Sequence, residues 1–175
     1  MLKIFSTQLS GYFKKIAEQE EIHIEDGARL LAQAAIGSGA IYIHGVREMG
    51  AVTLEAIYGE EPLSGARALF ENGKMADITP ADRIILVTRF STDEKAIALA
   101  QKLQEQGHMI VGISALKEGA QSLEQFTDVH IDTKLLKALI PDEEGSRYGF
   151  PSAMTALFTY YGLAFTIKEI LAEYT

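Results

Sequence analysis

The sequence predicts an α/β fold, a three-layer αβα sandwich around a five-stranded parallel sheet with the flavodoxin-like strand order 2-1-3-4-5. The first observation is that short, β-branched apolar runs, typical of strands buried on both faces, alternate with segments of helical periodicity. The second is that one stretch, Asp82 to Ser114, contains a complete strand, loop, helix and strand in succession. Strands separated by helices pair in parallel, and the helices then cover both faces of the sheet.

Two helices are predicted before the first strand, within residues 1–38. Leu9, Phe13 and Ile16 are spaced i, i+4 and i+7, which places them on one helical face. A second stripe is rich in small side chains and consists of Leu30, Leu31, Ala34 and Ala35.

The first two strands are predicted at residues 40–44 and, more weakly, at residues 67–70. The first is apolar and β-branched and is followed by a loop from Gly45 to Gly50. A helix is then predicted from Ala51 to Tyr58.

The remaining strands are predicted at residues 84–87, 109–113 and 129–132. After the first of these, a polar loop extends from Thr88 to Asp93 and a helix begins at Glu94. That helix is expected to stop at Gly107, because glycine is favoured just beyond a helix C-terminus.

A closing helix is predicted over residues 152–174, with Pro151 near its first position, where a missing N–H costs nothing. Its apolar side chains occupy more than one face, so it must be covered on several sides. The sheet can cover only one of them. We therefore expect a homodimer built on helices from the start and the end of the chain.

Composition limits the classes of function. The 175 residues, 47% of them hydrophobic, suit a single domain over 1–175. The formal charge of −8 argues against general nucleic-acid binding, which needs a basic face. The absence of cysteine excludes disulfides, thiolate nucleophiles and zinc–thiolate sites. With no signal-peptide core or membrane-length apolar run, a cytoplasmic location is expected, and the histidine spacing predicts no metal site.

Ligands of open parallel sheets bind beyond the carboxyl ends of the strands, where the strand order reverses. The first loop at this point, Gly45–Gly50, lacks the Lys and Ser/Thr of a P-loop and the second glycine of a dinucleotide fingerprint. It does offer Arg47 ahead of a helix N-terminus, which favours anions. Arg47 is an anion ligand, a solvated residue that pairs with Glu48, or an interface residue.

The second loop offers three hydroxyls and a cation, and these are Thr88, Ser91, Thr92 and Arg89. Free amides and hydroxyls at a helix start suit a phosphate. However, Ser91 to Glu94 also fits an S-x-x-E capping box. Capping and ligand binding therefore both remain open, and Asp93 would repel a phosphate.

A third polar segment lies directly before the closing helix and contains Glu143 and Glu144. Either carboxylate could act as a general base if burial raised its pKa towards neutrality. The alternative is an ordinary solvated loop.

The pattern as a whole resembles the sugar isomerase (SIS) domain family, especially the single-domain phosphoheptose isomerases. The resemblance covers nearly the whole chain and rests on the two leading helices, the closing helix and the segments at residues 39–45, 81–88, 107–114 and 127–131. It implies a phosphosugar-binding fold without a cofactor. In the family's Ser-x-Ser-Gly-x-Ser/Thr phosphate loop only the position of Thr88 keeps a hydroxyl here.

The resemblance also implies a catalytic glutamate late in the helix after the first strand, where Glu60 and Glu61 fall one or two places beyond it. The family's histidine near the start of the last helix has no counterpart here. Three hypotheses follow. In the first, the protein binds a sugar phosphate or similar small anion through Gly45, Arg47 and the second loop. In the second, it is an aldose–ketose isomerase whose base is Glu60, Glu61, Glu143 or Glu144. In the third, it is a non-catalytic sensor or interaction protein, which would be supported if Met49 and Phe90 filled the crevice.

Overall fold

A computed structural model describes all residues 1–175, and its core is one parallel sheet. The strands are β1 (Ile41–Gly45), β2 (Ala66–Ala68), β3 (Arg83–Phe90), β4 (Met109–Ala115) and β5 (Val129–Asp132). They lie in the order β2-β1-β3-β4-β5, and every neighbouring pair is parallel. The predicted fold class and strand order are confirmed.

Five helices surround the sheet. They are α1 (Leu2–Gln19), α2 (Glu21–Ile36), α3 (Gly50–Tyr58), α4 (Glu94–Glu105) and α5 (Ser152–Ala172). Successive residues of a strand point to opposite faces, so Ile85 and Val87 of β3 pack under α2, α3 and α5, whereas Ile84 and Leu86 pack under α4. Both faces of the sheet are therefore apolar and covered.

The closing helix α5 is covered on more sides within the chain than its sequence suggested. Tyr160, Leu163 and Ile167 are buried in the core shared with the sheet and α2. On another side, Phe158 stacks on Phe13 of α1, with ring centroids 4.4 Å apart and an interplanar angle of 9°. No helix combines the length and apolarity that crossing a membrane requires.

Several boundaries differ from the predicted ones. Strand β3 continues through Phe90, so Thr88 and Arg89 belong to a strand with a register shift after Val87 and not to a loop. The weak second strand is split, because β2 ends at Ala68 and Phe70–Glu71 instead pairs antiparallel with Lys74–Met75. A second small hairpin, Ile140–Pro141 with Arg147–Tyr148, lies in the segment before α5.

Candidate functional site

The loop after β1 is shaped by Gly45. A Cβ at this position would lie 1.9 Å from the backbone oxygen of Met49, so only glycine lets the chain turn back so closely. The turn continues as a 3-10 helix, Arg47–Met49, which begins with Arg47 in the left-handed region at φ 53°. The Met49 side chain points into the core, while the Arg47 side chain is 64% exposed.

The start of α4 is capped by Asp93 and not by Ser91. One carboxylate oxygen of Asp93, Oδ1, accepts hydrogen bonds from the backbone N–H groups of Lys95 and Ala96, at 3.0 and 3.1 Å. The interpretation of Ser91 to Glu94 as a capping box is therefore wrong. Ser91 and Asp93 are both of residue types that cap helices, and it is Asp93 that stands directly before α4.

The other oxygen of Asp93, Oδ2, accepts from the Thr88 hydroxyl at 3.1 Å and from the Arg47 guanidinium at 3.4 Å. Amides at a helix start, a hydroxyl and an arginine are the groups that bind a phosphate in this position of an α/β fold. In this chain an internal carboxylate receives these bonds.

A second carboxylate, Glu48, ties three segments together. It accepts from Arg89 Nε at 2.6 Å and from the hydroxyl of Ser152, at the start of α5, at 3.1 Å. Burial acts to raise the pKa of Glu48, but these hydrogen bonds outweigh burial and hold the pKa below its usual value. The loop after β1 and the end of β3 are thus bonded to the N-terminus of α5.

Ser91 has a structural role. It is fully buried, and its hydroxyl oxygen accepts the backbone N–H of Lys117 at 2.9 Å. This bond joins the end of β3 to the loop after β4. Of the hydroxyls predicted to bind a ligand, Thr88 and Ser91 are engaged within the chain, and Thr92 lies half-buried at the edge of the crevice.

These loops enclose a crevice of about 310 Å³ at the carboxyl edge of the sheet, lined by Arg47, Arg89, Phe90, Thr92, Asp93, Glu94 and Lys95. Its walls carry three cations and two carboxylates. Phe90 packs edge-to-face on Phe150, with ring centroids 5.8 Å apart, and Lys117 Nζ lies 4.5 Å from the Phe90 ring. Phe90 lines the crevice without filling it.

The four glutamates with a predicted catalytic role lie in two separate places. Glu143 and Glu144 are exposed in the turn of the hairpin before α5, where Asp142 accepts the backbone N–H of Glu144 at 2.9 Å. Glu60 and Glu61 follow the far end of α3, next to the start of β2 at the amino edge of the sheet. With about 1.5 Å of rise per residue, α3 separates them from the crevice by more than 10 Å within one chain.

Sequence reasoning missed four polar residues of the crevice region. Glu48 was considered only as a partner of Arg47, Asp93 only as a repulsive charge, and Lys95 and Ser152 were not considered. An aspartate directly before a helix is itself a cap signal and could have identified Asp93. No sequence signal pairs Glu48 with Arg89, because that pair depends on how two loops meet.

Comparison of the sequence with known proteins identifies a family and a relative of this chain. A family model described as a domain of unknown function, DUF2529, matches residues 1–171. The uncharacterized protein YwjG of Bacillus subtilis (strain 168) is 46% identical over 174 residues, which is 99% of both chains.

Solved structures share the fold at low sequence identity. The Vibrio vulnificus NanR protein, complexed with ManNAc-6P, has a TM-score of 0.72 at 12% identity over 99% of this chain and 64% of that chain. The sugar isomerase domain of an RpiR transcription factor from Sphaerobacter thermophilus gives 0.62 at 15% identity over 98% of this chain and 96% of that one.

A protein from Methanococcus jannaschii, for which a 3-hexulose-6-phosphate isomerase function was inferred, gives a TM-score of 0.61 at 17% identity, over 97% of this chain and 90% of that one. These likenesses establish an SIS-type fold. The match over residues 1–171 establishes the family, and the chain belongs to the DUF2529 domain family.

Proposed function

We propose that this protein binds a sugar phosphate in the crevice at the carboxyl edge of the sheet, as a binding protein and not as an isomerase. The observation that carries the proposal is the convergence of Arg47, Arg89 and Lys95 on one crevice at the start of α4. Ligands of open parallel sheets bind at this edge. A fold relative, the NanR protein, is complexed with a sugar phosphate, ManNAc-6P, which supports the ligand class.

Asp93 sets the affinity of this crevice. The Arg47 guanidinium is 64% exposed and has one long contact with Asp93, 3.4 Å, so it can turn towards a ligand at little cost. Arg89 is held by Glu48 and offers its remaining N–H groups. A phosphate beside the Asp93 carboxylate loses part of this attraction to charge repulsion, and we expect weaker binding than at a phosphate loop without a carboxylate.

The non-catalytic part of the proposal is supported by where the glutamates lie. An aldose–ketose isomerase, of the phosphoheptose type or another, needs a base within hydrogen-bond reach of the sugar carbons. Glu60 and Glu61 are too far away within one chain, and Glu143 and Glu144 are solvated in a hairpin turn. If the protein is an isomerase, Glu143 or Glu144 must close over the crevice, or a second subunit must supply Glu60 or Glu61.

Thermal unfolding with a panel of aldose and ketose phosphates, and with the same sugars unphosphorylated, tests the proposal. A sugar phosphate at 100 times its dissociation constant should stabilise the fold by about 2.7 kcal/mol, and the free sugar should not. Arg47→Gln and Lys95→Gln should weaken binding, since each removes a crevice cation. Asp93→Ser should tighten it, because serine still caps α4 but carries no charge.

Lys14→Gln is the matched control, because Lys14 is an exposed cation on α1, paired only with Glu18. Absence of a shift with every sugar phosphate, or equal weakening by the control and by Arg47→Gln, contradicts the proposal. Proton exchange at the carbon next to the sugar carbonyl in deuterated water would show isomerase chemistry and refute the non-catalytic part.

A further inference from the structure

A second cavity lies at the opposite edge of the sheet, between α3, the loop after it and α5. Its volume is about 420 Å³, larger than that of the crevice at the carboxyl edge. Polar and aromatic residues of its wall are Glu55, Glu60, Glu61, Tyr160, Tyr161 and Phe165. The rest of the wall is mainly apolar and includes Leu63, Ala164 and Leu171.

Tyr160 is the unusual member of this wall. Its side chain is 2% exposed and lines the cavity, yet its hydroxyl forms no hydrogen bond within the chain. Burial, with smaller contributions from the charges of Glu55 and Tyr161, raises the pKa of Tyr160 to about 12, so the hydroxyl keeps its proton at neutral pH. The Tyr160 ring is buried, whereas its hydroxyl is not bonded within the chain and can form a hydrogen bond with a ligand in the cavity that Tyr160 lines.

Glu55 supplies a charge in the same wall. Its Oε1 accepts the Tyr161 hydroxyl at 2.5 Å, and its Oε2 has no hydrogen-bond donor within the chain. At the rim, Lys168 lies 3.6 Å from Glu61, and both of these side chains are more than three-quarters exposed. The cavity therefore has three carboxylates against one ammonium group.

Three aromatic rings complete the chemistry of this cavity. The Tyr160 and Tyr161 ring centroids are 5.5 Å apart at 60°, and those of Tyr161 and Phe165 are 5.6 Å apart at 43°. Tilted rings of this kind present both faces and edges, and the faces attract cations. Aromatic rings with nearby carboxylates and an apolar floor favour an ammonium group attached to a hydrocarbon body.

We propose that this cavity binds a small organic cation, an ammonium attached to an apolar group, with Glu55 and Tyr160 contacting the nitrogen and the aromatic rings and apolar wall contacting the hydrocarbon. The site is separate from the crevice at the other sheet edge, and its existence does not depend on what that crevice binds. Glu60 and Glu61, at its rim, add negative potential that attracts the cation.

Titration of the isotope-labelled full chain with 2-phenylethylammonium, followed by amide chemical shifts, tests the proposal. The neutral analogue 2-phenylethanol has the same body and is the ligand control. The ammonium should bind with a dissociation constant at least about tenfold lower than that of the alcohol, and the shifts should cluster on α3 and α5.

Glu55→Gln should remove most of the preference for the ammonium, because glutamine still accepts the Tyr161 hydroxyl but carries no charge. Tyr160→Phe should weaken ammonium binding severalfold and should fold normally, because the lost hydroxyl has no partner in the chain. Glu18→Gln, on exposed α1, is the charge control and should change nothing.

Equal affinity for the amine and the alcohol, unchanged binding in Glu55→Gln, or no shifts with either probe would overturn the assignment. So would shifts on α3 and α5 that follow protein concentration and not probe concentration, since a second copy of the chain would then cover the cavity.

Discussion

Asp93 and Glu48 supply negative charge to the basic residues of the crevice from within the chain. Without these two carboxylates, only a bound anion could neutralise those residues. Asp93 neutralises the amides at the start of α4, and Glu48 neutralises Arg89. Both carboxylates also join segments that are distant in sequence, so they hold the walls of the crevice together. Under the proposed function a sugar phosphate would compete with them, and these two residues would then be the main determinants of which anions enter.

Another residue, His130, should make folding depend on pH. Its Nε2 lies 2.7 Å from the Ser114 hydroxyl on the neighbouring strand. Burial lowers the pKa of His130 to about 4, although the charge of Asp132 acts in the opposite direction. Between pH 6.5 and 4, His130 is therefore protonated in the unfolded chain and neutral in the folded chain. The free energy of unfolding is unaffected by this group above pH 6.5 and falls as pH falls through that window.

We predict that His130→Gln removes this dependence, because glutamine can still bond to Ser114 and does not titrate. At pH 5 the histidine of the wild-type chain should account for about 2 kcal/mol of lost stability, on the order of 1.5 pKa units. Urea denaturation at pH 7.5 and pH 5 measures the difference for each chain. The same loss in both chains would show that other groups cause it.

At the scale of single elements, the close turn at the end of β1 gives a sharp prediction. Gly45→Ala should destabilise the fold by roughly 2–3 kcal/mol, since the added Cβ would meet the Met49 carbonyl at 1.9 Å. Gly11→Ala is the matched control: Gly11 lies in exposed α1 with nothing within 4 Å, and alanine should stabilise by about 0.5–1 kcal/mol. Chemical denaturation of the two variants compares them, and equal effects would refute the steric argument.

The elements show how far the sequence alone could lead. Buried strands and amphipathic helices have a strong periodic signal, so β1, β3, β4 and β5 could be located from residue types. The polar end of β3 could not, because Thr88 and Arg89 resemble a loop and lie at the register shift of the strand, between Val87 and Phe90, which pair with β4. The same limit applies to the site. The sequence named Arg47, Arg89 and Thr92 at the crevice, but the expected pairing of Arg47 with Glu48 is wrong, because Glu48 bonds to Arg89 and Arg47 contacts Asp93. These partners depend on tertiary contacts.

For the whole molecule, homodimer formation remains a prediction. The structure shows which apolar side chains stay exposed in one chain and could form the interface. Within the chain α1, α2 and α3 already cover much of α5. One group of exposed apolar side chains lies on the first turn of α1, the segment before the hairpin, the hairpin and the start of α5, and it includes Leu2, Ile4, Leu136, Tyr148 and Met154. A second group lies on α3 and the later part of α5 and includes Leu54, Tyr58 and Phe165. We place the interface on the first group, because it joins the two ends of the chain. We expect a two-fold dimer through helices from the start and end of the chain.

Light scattering coupled to gel filtration at micromolar concentration should give twice the 19.2 kDa mass of one chain. The double variant Leu136→Lys and Met154→Lys should shift the species to the monomer without loss of secondary structure, because both side chains are solvent-exposed in one chain. A wild-type species of single-chain mass would refute the dimer. A variant that stays dimeric would show that the interface lies on another surface.

The two outer strands of the sheet are short: β2 has three residues and β5 has four, whereas β3 has eight. An outer strand exposes unpaired amide and carbonyl groups that can recruit a strand from another molecule, and short outer strands leave few such groups. Arg67 in β2 and Asp132 in β5 add charge at both borders. The fold is thus protected against growth into fibrils by strand addition, and concentrated samples should stay in discrete particles.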